Sequence, residues 1–178
     1  NSILKQYMGE TVPWGEQFIA DTSKHPAWAA YLREAYARDI EFMHHFISER
    51  QSDDGGFGGG YGDDCEMMRT WMQIAAISSA SEYARQGIQN LAEGIWDEDL
   101  SKHDGYSGFS DVEHSAEPSA DMLPGMLFIR YGDPLWVERN LRTCKTIKET
   151  YMGIDELGYP RLKSSGFGGG RIEPTGLG

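Results

Sequence analysis

From Pro26 to about Glu49 the apolar positions Trp28, Tyr31, Leu32, Ala35, Tyr36, Ile40, Met43, Phe46 and Ile47 recur at steps of three and four. That spacing predicts a long amphipathic helix, with Pro26 in the first turn, where its missing N–H is harmless. Residues 64–79 are apolar on nearly every side, through Cys65, Met67, Met68, Trp71, Met72, Ile74, Ala75, Ala76 and Ile77, which predicts a buried helix. The stretch 82–97 carries Ala84, Ile88, Leu91 and Ile95 on one stripe with charges opposite. It is expected to be an outer, half-exposed helix, weakened a little by Gly87 and Gly94. A second buried helix is expected over 122–131, entered through Pro124. Asp133 and Pro134 then supply an N-cap and a first-turn proline for a last helix over 135–152. Val137, Leu141, Cys144, Lys148 and Tyr151 share one face of that helix, and Gly153 stops it. No alternating strand pattern bounded by hairpin signals occurs, so the expected fold class is all-α, with residues 1–25, 98–120 and 154–178 irregular.

Buried helices alternate with half-exposed ones, and long polar or glycine-rich loops precede the buried ones. Helical hairpins set in a ring would give this pattern, with the loops gathered at one end. The most distinctive loop is Asp53–Glu66, where six of fourteen residues are glycine. Glycine is tolerated in such numbers mainly where backbone takes φ > 0 or passes close to another group. Gly58, Gly59 and Gly60 are therefore candidates for contact with a substrate. Acids flank the run on both sides, and no Gly-Lys-Ser/Thr follows, so it is not a phosphate loop. Asp63 and Glu66 also fit a capping box at the start of the buried helix. Asp64 has no capping duty in that scheme, which makes it the better functional candidate. A shorter echo, Gly-Phe-Gly-Gly-Gly-Arg, ends at Arg171.

A length of 178 residues fits a single domain, 1–178, with a sizeable core. Twenty-eight acids against 16 Lys and Arg give a net charge of −12. That balance disfavours nucleic acid and anionic membrane surfaces as partners. No run approaches the ~20 apolar residues of a membrane helix. The chain starts at Asn1 without a leader signal, so either a leader has been removed or a larger polypeptide supplies the rest. Cys65 and Cys144 have no metal spacing and are expected to be buried free thiols.

The loop Gly56-Phe-Gly-Gly-Gly-Tyr-Gly-Asp-Asp-Cys-Glu66, opening a buried helix, resembles loops of the (α/α)-toroid carbohydrate-active enzymes. Polysaccharide lyases and glycoside hydrolases both occur in that superfamily. The resemblance covers the hairpin pattern of residues 26–152 and implies part of a larger toroid, about half of one. It also implies a polysaccharide or oligosaccharide partner and a secreted or periplasmic setting. A lyase on a uronic-acid polymer must neutralise the sugar carboxylate, remove the adjacent proton and protonate the leaving oxygen. Tyr61, His114 and Tyr159 are the proton-transfer candidates, with Arg161 or Arg171 for the carboxylate. A hydrolase instead needs two carboxyl groups, and Asp64, Asp111, Glu113, Glu117 and Asp121 supply an excess of them. The abundance of lyases on this architecture tips the expectation to β-elimination. Such carboxylates would also suit calcium, although EF-hand spacing is absent. A non-catalytic carbohydrate-binding or scaffold domain is the third alternative, in which Trp14, Trp28, Trp71, Trp96 and Trp136 stack on sugars or fill the core.

Overall fold

The computed structural model describes residues 2–11, 19–77, 82–107, 112–165 and 174–177. The chain forms two compact units, residues 1–37 and 38–178. The first holds the short helix α1 (Ser2–Tyr7) and the start of α2 (Ala27–Arg50). Ala20 and Ala30 are buried there, whereas Tyr7, Ile19 and Trp28 are exposed. Trp28 is therefore not a core residue, despite its place on a helical stripe.

The second unit continues with α3 (Tyr61–Asp64), a 3₁₀ turn at Cys65–Met67 and α4 (Met68–Ile77). α5 (Glu82–Glu98), α6 (Val112–Ile129) and α7 (Pro134–Thr146) follow. The fold is all-α, mostly helical with a few short strands. α6 packs against α4, α5 and α7. Met68, Met72, Ile88, Leu91, Ile95, Met122, Leu123 and Met126 form the core between these helices. Fully burying such side chains contributes about 1.5 to 3 kcal/mol each. α2 joins through Phe46, whose ring meets Trp71 of α4 edge-on at 6.2 Å. Trp71, Trp96 and Trp136 are buried, as their helical positions predict.

Four elements differ from expectation, the first being α1, a helix within residues 1–25 that read as irregular. α6 begins ten residues before Met122, inside the stretch read as a loop, and holds both Pro118 and Pro124 within it. Each proline lacks the N–H that would reach the carbonyl four residues back. Tertiary packing carries the helix regardless, with Pro118, Met122 and Met126 fully buried. α7 turns the other way round from its apolar stripe. Trp136, Arg139, Thr143 and Thr146 face inward, while Val137 and Leu141 are exposed. The reason lies in specific polar contacts. Arg139 sits between the rings of Trp96 and Trp136, 4.8 and 4.5 Å from their centroids, with Glu93 2.6 Å away. Asn140 donates to the carbonyls of Leu123 and Trp136. Finally, α7 runs into a π turn (Ile147–Tyr151), and the expected terminal loop contains strands β1 (Met152–Ile154), β2 (Pro160–Ser165) and β3 (Pro174–Leu177). These pair antiparallel in the order β1-β2-β3, with Met152 opposite Leu162 and Lys163 opposite Leu177. Both cysteines are free, and Cys144 is exposed rather than buried.

Candidate functional site

The glycine loop is folded around Asp64. Its carboxylate is buried and accepts hydrogen bonds from the backbone N–H of Phe57 at 2.6 Å and of Gly59 at 3.3 Å. Gly58 and Gly60 have φ of 94° and 87°, with open space where a Cβ would project. Positive φ is the local reason for glycine at these two positions. Gly60 is the N-cap of α3 and no side chain bonds the cap, so Asp63 and Glu66 do not form the capping box that their spacing suggests. Asp64, singled out because it has no capping duty, anchors the loop. Tyr61 donates its hydroxyl to the carbonyl of Asp54 at 3.0 Å. Burial, and then the Asp54 carboxylate, push its phenol up to about 12, so it is held protonated.

The second part of the site lies where α4 meets α6. Arg69 sends Nη2 to Glu117 and Nε to Asp121, each at 2.7 Å, and its Nη1 stands 3.7 Å from Glu66. The hydrogen bonds of Glu117 and Asp121 hold the Arg69 guanidinium further above its ordinary range. Both carboxylates are half-buried, while Arg69 is about half exposed to solvent. His114, Glu117 and Asp121 follow i, i+3, i+7 spacing and so share one face of α6, with His114 exposed. Beneath them Cys65 is fully buried and donates to the Gly62 carbonyl at 3.0 Å. Burial, and then Asp121 and Glu117, push its thiol up to about 12. The Cys65 thiolate is thus unavailable as a nucleophile near neutral pH.

Of the expected site residues, the structure gathers Asp64, Tyr61 and the loop glycines at one end of α4, and places Glu117 and His114 on the neighbouring α6. Tyr159 belongs elsewhere: it closes the β1–β2 turn, its N–H donating to Asp155 Oδ1 at 2.8 Å. Arg171, Asp111 and Trp14 lie outside the described residues, as do the side chains of Glu113 and Arg161. Arg69 is the residue that sequence reasoning missed. Its signal was a lone basic side chain inside an otherwise apolar helix, one turn after Glu66.

On the other side of the loop is a cavity of about 300 Å³, lined by Asp53, Asp54, Glu93, Asp97 and Glu98 with Tyr61. Among the described residues no group of three or more acids, histidines or cysteines is arranged to hold a metal ion. No described helix is long and apolar enough to cross a membrane. Compared with family models, curated proteins and solved structures, the chain matches none.

Proposed function

We propose that this chain is the catalytic helical part of an enzyme that cleaves glycosidic bonds in a polysaccharide, its hairpins belonging to an (α/α) toroid. The observation that carries this reading is the pair Glu117 and Asp121, held on one face of α6 by the single guanidinium of Arg69. Glycoside hydrolysis requires two carboxyl groups, one to give a proton to the leaving oxygen and one to attack the sugar or activate water. Two carboxylates sharing one guanidinium lie close together. Under this proposal the pair takes the retaining geometry, with carboxyls about 5 to 5.5 Å apart, rather than the inverting one at about 6.5 to 9.5 Å. In this scheme one carboxyl of the pair is the nucleophile and the other the acid, then the base. The glycine loop, fixed by Asp64, forms the rim against which the sugar chain lies.

β-Elimination on a uronic-acid polymer is the second reading, and His114 supports it. Its ring is exposed on the same face of α6 as the carboxylates and could take the proton beside the sugar carboxyl. Two features favour hydrolysis over it. Tyr61 is held as a phenol, unsuited to act as a base, and Arg69 is already engaged by carboxylates of the protein. The test is turnover of neutral glycans and uronic-acid polysaccharides, following new reducing ends and the ultraviolet absorbance of an unsaturated uronate in parallel. Reducing ends without that absorbance are expected, with activity lost at least 10³-fold, roughly, in Glu117→Gln or Asp121→Asn. Absorbance that rises with each cut and vanishes in His114→Ala would replace hydrolysis by elimination. Glycan binding with no cleavage at all would make the domain a binding module.

A further inference from the structure

The outward face of α7 has no part in this chemistry. Because Trp136, Arg139 and Thr143 point inward, Val137 and Leu141 are 45% and 65% exposed on the opposite side. With Pro134, Glu138 and Lys145 they line an open groove of about 660 Å³. A solvated helix face normally carries polar residues, and here the outward face carries the apolar stripe of the helix itself. Glu138 and Lys145 lie two turns apart on this face with opposite charge. Neither has an ion-pair partner within bridging distance among the described residues, whereas Arg142 is bonded to Asp104 at 2.8 Å.

This arrangement is complementary to itself. When a helix packs antiparallel on its own copy about a two-fold axis, a contact made in one direction is repeated in the other. With Leu141 on the axis, it meets itself, and Val137 covers the aliphatic stem of the partner's Lys145. Glu138 then comes within one residue of facing the same ammonium, and the two-fold axis makes this charge pair form twice. Parallel packing would instead set Glu138 beside Glu138 and Lys145 beside Lys145. We propose that α7 is the contact of a homodimer, an antiparallel α7–α7 pair centred on Leu141.

Sedimentation of the full chain over a wide concentration range tests this. A reversible dimer is expected, abolished in Leu141→Asp with an unchanged melting temperature, since Leu141 is mostly exposed. Glu138→Lys and Lys145→Glu should each weaken association about tenfold, and the double reversal should restore it. In a Cys144→Ser background, Leu141→Cys should link to its own copy under mild oxidation, with buried Cys65 silent. A monomer at every concentration would overturn the proposal, as would a dimer indifferent to Leu141→Asp. A dimer lost in Leu141→Asp but blind to both charge reversals would overturn the antiparallel register.

Discussion

Replacing Asp64 separates an anchor from a catalyst. In Asp64→Ala the N–H groups of Phe57 and Gly59 both lose their acceptor. A hydrogen bond to a charged partner contributes about 1.5 to 3 kcal/mol. One bond here is short and the other long, and the exposed Gly59 N–H can turn to water, so the combined loss is about 2 to 4 kcal/mol. For a chain of this length, each kcal/mol moves the melting temperature by about 2 to 4 °C, giving a drop of roughly 5 to 15 °C. Asp64→Asn should fall between Ala and wild type, because its carbonyl still accepts from Phe57 while its amide opposes the Gly59 N–H. Thermal unfolding followed by circular dichroism, alongside activity, reads both effects. A melting temperature unchanged within about a degree in Asp64→Ala, with activity abolished, would refute the anchor and make Asp64 a catalytic residue.

Gly94→Ala should destabilise although alanine is the better helix former by about 1 kcal/mol. An added Cβ would clash with the Asp54 carbonyl and stand 2.7 Å from the Tyr61 ring, so the melting temperature should fall, and a rise would show that the loop does not rest on α5 there. Thiol labelling at pH 8 should consume one thiol quickly, exposed Cys144, and the second only on unfolding. With its pKa pushed up to about 12, Cys65 has no useful thiolate fraction at that pH, and two fast thiols would contradict its burial.

Much of the fold was legible because the long helices announce themselves by spacing. α2 and α5 fall within a residue of the expected limits, and α4 within a few. What failed did so for physical reasons that a local pattern does not carry. Two prolines and a polar first half hid the start of α6, since only packing on α4 and α5 makes a helix worth forming there. The α7 stripe was legible as a face, but not which way it turns: Val137, Leu141 and Cys144 are exposed. Arg139, polar and charged, is inside because two tryptophan rings and Glu93 receive it, a combination assembled from two helices, α5 and α7. Gly87 and Gly94 looked like mere weaknesses of α5. They are the places where Ile47 of α2 and the Asp54 carbonyl come within van der Waals reach of the helix.

The candidate site was half legible for a related reason. Tyr61, Asp64, His114 and Glu117 could be singled out as chemically able groups, yet their roles depend on which hydrogen bonds they make. Asp64 accepts from backbone N–H groups and Tyr61 donates to a backbone carbonyl, and the proposed function therefore rests on the α6 face. Under the proposed function, electrostatics favours a neutral substrate. Arg69 is met by Glu66, Glu117 and Asp121, and the cavity beyond the loop adds five more acids in a chain of net charge −12. Field of that sign lowers the local concentration of polyanions and is screened over about 8 to 10 Å at physiological salt. A neutral glycan meets no such barrier at the Glu117–Asp121 pair. A uronic-acid polymer would need cations that the described face of α6 does not supply, which supports the proposed paired-carboxylate hydrolysis over the alternative of elimination.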